Sequence, residues 1–89
     1  MKTVVSVIGK DSVGITADVS AVCRDCNANI LDITQSVIQD IFVMVMLTDI
    51  KELNCSFADY SEKMRNLGKK KGLDIRVMHE DVFNSMHRI

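Results

Sequence analysis

The stretch from Val4 to Ile38 constrains this chain most, above all its turn, Gly9-Lys10-Asp11-Ser12-Val13-Gly14. A β-branched apolar run (Val4, Val5, Val7, Ile8) stops at Gly9, a short polar loop follows, and a helical pattern starts at about Gly14 and leads to Asn29-Ile30. The reading is strand, turn, helix, and the helix must lie back on the sheet to bury its apolar stripe. Thr3 to Ile8 reads as the strand, with Thr3, Val5 and Val7 on one face and Val4, Ser6 and Ile8 on the other. Both faces are largely apolar, which predicts a central position. Asp11 and Ser12 carry short acceptor side chains where a helix has unpaired N–H groups, so they are read as its cap. Along the helix Ile15, Val19, Val22 and Cys26 form the apolar face, opposite Thr16, Ser20, Arg24 and Asn27. Asn27 falls where helices end in a left-handed residue.

From Ile30 to Ile38 the pattern alternates, Leu31, Ile33 and Val37 against Asp32, Thr34 and Ser36, which predicts a half-exposed edge strand. Gln39-Asp40 reads as a tight hairpin connection, and Ile41 to Leu47 then runs apolar without a break, as a strand covered on both faces does. The second helix opens at Ser56 with Asp59 at capping-box spacing. It presents Phe57, Tyr60, Met64 and Leu67, and ends at Gly72 after Lys69, Lys70 and Lys71, where cations suit the helix dipole. Asp74 to His79 is the last strand, with Ile75 and Val77 inward. Val82, Phe83, Met86 and Ile89 recur at helical spacing in a short amphipathic tail. The order βαββαβ plus a tail predicts an α+β, ferredoxin-like fold: an antiparallel sheet, strands one and three central, two helices on one face and a short C-terminal helix. Met44 and Met46, or their neighbours on the opposite face, then need cover from the tail helix or from a second subunit.

Composition bounds what such a fold can do. Eighty-nine residues, 47% hydrophobic and 26% charged with no proline, build one core. A core of that size gains from a partner copy, so a homodimer or higher homo-oligomer is expected. A net charge of −1 gives no global attraction to nucleic acid or to an anionic membrane. No apolar run approaches the ~18 residues of a membrane span, no secretory leader pattern is present, and three cysteines make an odd set, so a cytoplasmic location with reduced thiols is expected.

Lys10-Asp11-Ser12-Val13-Gly14-Ile15 at the end of strand one, followed by Asn27-Ala28-Asn29-Ile30-Leu31-Asp32-Ile33 entering strand two, resembles the ACT domain, a small-molecule-binding regulatory module. The pattern is most similar to freestanding single-domain members and to the ACT domains of glycine-cleavage repressors. It covers nearly the whole chain: a domain over 3–79 and a helical extension over 80–89. Family members usually carry Asp-Arg-Pro-Gly where this chain has Asp11-Ser12-Val13-Gly14, and Gly-Ala-Asn-Ile where it has Asn27-Ala28-Asn29-Ile30. The resemblance implies an allosteric regulatory role with no cofactor. It implies an amino acid or related metabolite held between the strand-one loop of one subunit (Lys10, Asp11, Ser12, Val13, Gly14, Ile15) and the start of strand two of its neighbour (Asn29, Ile30). The chemistry agrees: helix-start N–H groups suit a carboxylate, Asp11 an ammonium, and Asn29 both donates and accepts. Each residue also has a plain structural reading, Asp11 as cap, Gly14 as turn, Asn29 as strand start.

Other constellations point to less. Cys23-Arg24-Asp25-Cys26 has redox or metal spacing but sits at a helix C-terminus, where the dipole disfavours a thiolate, so buried inert thiols are expected. Cys55, His79 and His87 complete no zinc spacing, and no metal is expected. Asp11 and Ser12 have no nearby His, so no catalysis is expected either. The competing function is a ligand-free module for dimerisation or for binding another protein.

Overall fold

A computed structural model describes residues 1–86. Its elements run β1 (Lys2–Lys10), α1 (Ile15–Cys26), β2 (Asn29–Ile38), β3 (Ile41–Asp49), α2 (Phe57–Lys71), β4 (Leu73–His79) and α3 (Glu80–Met86). The four strands make one antiparallel sheet in the order β2-β3-β1-β4, so β1 and β3 are central and β2 is an edge, as their patterns predict. The expected last tail residue, Ile89, and His87 lie outside the described residues.

The sheet has two unlike faces. Thr3, Val5 and Val7 of β1, Phe42, Met44 and Met46 of β3, and Leu73 and Ile75 of β4 are buried beneath α1 and α2. Met44 and Met46 are therefore covered by the two main helices. On the opposite face α3 packs against β1 and β4. There Phe83, Val43, Val45 and Met78 line a depression of about 460 Å³, while Ile8 and Ile41 stay exposed. The tail helix thus supplies the expected cover over one half of that face.

A buried polar chain threads the core. Thr3 Oγ1 and Thr48 Oγ1, directly paired across β1 and β3, lie 2.7 Å apart. Thr48 Oγ1 is 3.3 Å from the Tyr60 hydroxyl of α2. Cys23 Sγ of α1 approaches that hydroxyl at 3.6 Å and Met46 Sδ at 3.7 Å. Among the described residues no buried side-chain nitrogen or oxygen lacks a partner, as a low-dielectric interior demands.

Several local expectations shift. In α1 the third buried position is Cys23, not Val22, which is half-buried: the stripe that meets the sheet is Ile15, Val19, Cys23 and Cys26. In α2, Tyr60, Met64 and Gly68 face the sheet while Phe57 is 40% exposed, because Phe57 is the first helical residue and overhangs the sheet edge. The Ser56 cap stands: its Oγ accepts from Asp59 N at 3.1 Å, and Gly72 ends the helix in a left-handed conformation with φ of 71°. Leu31 is the extra residue of a β-bulge between Ile30 and Asp32, which explains its exposure.

Candidate functional site

The strand-one loop is built by three constraints. β1 runs to Lys10, two residues beyond the expected end. Asp11 N–H then donates to the carbonyl of Asp40 at 2.8 Å, tying the loop to the β2–β3 turn. That turn has Gln39 at φ 49° and Asp40 at φ 70°, the left-handed pair of a two-residue hairpin. Gly14 sits at φ 87° and is itself the N-cap of α1, and its carbonyl accepts from Asp18 N at 2.9 Å.

This corrects the reading of Asp11 and Ser12 as the cap. No side chain caps α1, because the left-handed turn at Gly14 carries both residues past the positions from which their oxygens reach the first-turn N–H groups. Those donors are left to solvent at the positive end of the helix dipole. Among the described residues the Asp11 carboxylate and the Ser12 hydroxyl have no hydrogen-bond or ion-pair partner; both residues are exposed, and Val13 at the tip is 100% exposed. A Cβ on Gly14 would meet nothing within 4 Å, so its φ, not crowding, is what calls for glycine. Ile15 is buried and anchors the helix start. Thr16 Oγ1 donates to Gln35 Oε1 of β2 at 3.2 Å. Gln35 is a neighbour of the loop that sequence reasoning missed; it is one polar residue in an alternating strand, and only the ladder register brings it beside α1.

At the far end of α1, Asn27 is left-handed at φ 62°, and its N–H donates to Arg24 O at 3.1 Å while Ala28 N–H donates to Cys23 O at 2.8 Å. These are the paired bonds of a Schellman ending, and they deliver the chain into β2. Asn29 opens that strand opposite Asp49, and Ile30 pairs with Thr48. Asp49 accepts from Lys51 N–H at 2.9 Å, and that bond holds its carboxyl below the ordinary range. Arg24, Asn27, Ala28, Asn29 and Glu52 line a depression of about 360 Å³.

The two halves of the expected site do not meet within one protomer. Lys10 pairs with Ile41 at one end of the sheet, whereas Asn29 pairs with Asp49, which faces Lys2, at the other. Strand rise puts about 25 Å between the ends. Lys10, Asp11, Ser12, Val13, Gly14 and Ile15 form one cluster, and Asn29 and Ile30 form a second. Among the described residues no group of three or more His, Cys, Asp or Glu could hold a metal ion, and no helix is long and apolar enough to cross a membrane.

Comparison with known proteins agrees with this architecture. The chain is 46% identical over 88 residues to a UPF0237 protein of Methanopyrus kandleri, covering 99% of this chain and 98% of that one. An ACT domain protein from Streptococcus pneumoniae superposes with a TM-score of 0.80 at 28% identity, covering 93% of both chains. A putative glycine cleavage system transcriptional repressor shares the fold with a TM-score of 0.71 at 21% identity, over 89% of this chain and 47% of that one. The ACT domain family model matches residues 2–78, and with this fold beneath it the chain belongs to the ACT domain family.

Proposed function

We propose that this protein is a non-enzymatic regulatory domain that binds an amino acid or related metabolite between two copies of itself. The observation that carries the reading is the start of α1, where uncapped N–H donors stand beside an unpartnered Asp11 carboxylate. Donors at the positive end of a dipole suit a carboxylate, and Asp11 suits the ammonium of the same molecule. Asn29 and Ile30 of a partner copy complete the site. The β2 edge supports this pairing: it is ten residues long, unpaired on its outer side, and exposes Leu31, Ile33, Val37 and Ile38. Antiparallel pairing of two such edges sets the Ile38 end of one strand beside the Asn29 end of the other, and so brings Asn29 toward the neighbouring Asp11 loop.

Binding then works by population shift. A ligand that touches both copies favours the arrangement that makes both sets of contacts. The domain of this reading is residues 3–79 with 80–89 as an extension, in a cytoplasmic setting.

The test is thermal unfolding against the twenty amino acids and common folate and nucleotide metabolites, with mass measured by size exclusion. A ligand at a hundredfold excess over its Kd stabilises by about 2.7 kcal/mol. The expected result is a selective shift that Asp11→Ala and Asn29→Ala abolish while the dimer persists. The same exposed β2 residues favour a second reading, a ligand-free interaction module. A stable dimer with no shift from any compound supports that one.

A further inference from the structure

All three cysteines are free thiols, and two of them meet across a junction that the ligand reading does not use. Cys26 is the fully buried last residue of α1, and half-buried Cys55 lies in the β3–α2 loop just before the Ser56 cap. Helix end and loop are stitched together by three hydrogen bonds. Asn54 N–H donates to Cys26 O at 3.0 Å, Asn54 Nδ2 to Asp25 O at 2.8 Å, and Asn27 Nδ2 to Glu52 O at 2.8 Å. The bond from Asn54 N–H to Cys26 O sets the residue before Cys55 directly against the helix end, the kind of close backbone approach that a disulfide, with Cα atoms ~4.4–6.8 Å apart, requires. Cys55 packs on the core cluster that contains Cys26. Cys23 instead has Met46 Sδ and the Tyr60 hydroxyl as its partners.

We propose that Cys26 and Cys55 form a reversible disulfide, driven by peroxide, that clamps the end of α1 to the β3–α2 loop. Cys55 makes the attack, since Cys23 and Cys26 are both sealed from solvent. Its thiolate attacks one peroxide oxygen; the O–O bond breaks, hydroxide leaves with the electron pair and takes up the thiol proton as water, and a sulfenic acid remains. The Cys26 sulfur then attacks the sulfenic sulfur: the S–S bond forms, the S–O bond breaks, and the departing hydroxide leaves with the Cys26 proton as a second water. Two thiols are oxidised by two electrons and one peroxide is reduced. Burial, followed by the neighbouring Cys55 thiol, pushes Cys26 up to about 11, so Cys26 keeps its proton at neutral pH, leaves the first attack to Cys55, and gives the proton up only as it displaces the hydroxide of the adjacent sulfenic acid. A small dithiol reverses the bond by exchange. The clamp closes directly on Asn27 to Asn29, so it also governs the start of β2. Control of ligand binding by oxidation rests on the metabolite reading, but the cross-link itself does not.

The test treats the full chain with hydrogen peroxide, alkylates remaining thiols and maps peptides without reduction by mass spectrometry. One intramolecular Cys26–Cys55 cross-link, with loss of two hydrogens, is expected. It persists in Cys23→Ala, is absent in Cys55→Ser, and disappears with dithiothreitol. Amide exchange at Ala28 and Asn29 slows in the oxidised protein. Peroxide that carries Cys55 to a sulfinic acid while Cys26 remains alkylatable overturns the proposal, and so does a Cys55–Cys55 link between two copies. Metabolite titrations on the fully reduced protein fail or succeed independently of this map.

Discussion

Gly68 offers a test in which the two relevant effects have opposite signs. It lies in the interior of α2, where glycine normally costs about 0.5–1 kcal/mol relative to alanine, so Gly68→Ala on an exposed helix face would stabilise. Here the glycine is buried against β4. A Cβ on it would stand 2.6 Å from the backbone oxygen of Leu73 and 3.2 Å from Ile75 Cγ1. The first neighbour is main chain of a paired strand, held by the β1–β4 ladder, so helix and sheet must separate to admit the methyl group. Overpacking of this kind costs about 1–3 kcal/mol. With the propensity gain subtracted, the net loss lies between about 0 and 2.5 kcal/mol and centres on about 1 kcal/mol. In a domain of this size a loss of about 1 kcal/mol lowers Tm by roughly 4–8 °C. Urea unfolding at fixed protein concentration should show a lower midpoint at unchanged slope. A midpoint that rises by the propensity increment would refute the close approach of α2 to β4.

Further outcomes follow from the caps, the buried network and the thiols. Asn27→Ala loses both the tolerated left-handed residue and the bond to Glu52 O; a cost of about 1–3 kcal/mol in urea unfolding is expected, and Asn27→Gly should recover part of it. Ser56→Ala removes the acceptor of Asp59 N and should cost about 1 kcal/mol by the same measurement. Tyr60→Phe deletes the hydroxyl shared with Thr48 and Cys23, with an expected loss of about 1–2 kcal/mol in the same assay. Burial raises Cys26 from an ordinary 9.0 to about 11, so its contribution is intact below pH 9 and is lost as pH rises toward 11. Unfolding followed from pH 7 to 11 should show that decline, and Cys26→Ala should make it shallower without abolishing it, since burial raises the Cys23 thiol and the Tyr60 phenol in the same direction.

The elements whose patterns are set by the chain's own period are legible in the sequence. The unbroken run Ile41 to Leu47 marks a central strand, the alternation of β2 marks an edge, and Asn27, Ser56 and Gly72 mark helix ends, because each is a local requirement of backbone geometry. The errors arise where a neighbour decides. Cys23 replaces Val22 inside because the position of α2, through Tyr60, sets which part of the α1 stripe is sealed. Asp11 and Ser12 carry the chemistry of a cap, but the left-handed turn at Gly14 removes them from it. The candidate site is legible as two clusters of residue types. Their separation is not, since it depends on the register that pairs Lys10 with Ile41 and Asn29 with Asp49.

The Thr3–Thr48 pair has a consequence for how the sheet finds its alignment. On the helix-facing side β1 and β3 otherwise match Val5 with Met46 and Val7 with Met44. Such apolar pairs would tolerate a slide of two residues with little change, because the same faces stay buried. The two hydroxyls would not. A slide sets Thr3 against Met46 or past the strand end and parts it from Thr48, leaving the buried Thr3 hydroxyl without its partner at about 1–3 kcal/mol, while Thr48 keeps Tyr60. Against a total stability of about 5–10 kcal/mol, that penalty separates one alignment from its nearest competitors. Between strands whose valine and methionine pairs would match nearly as well one step along, two small polar side chains serve as the index mark of the ladder.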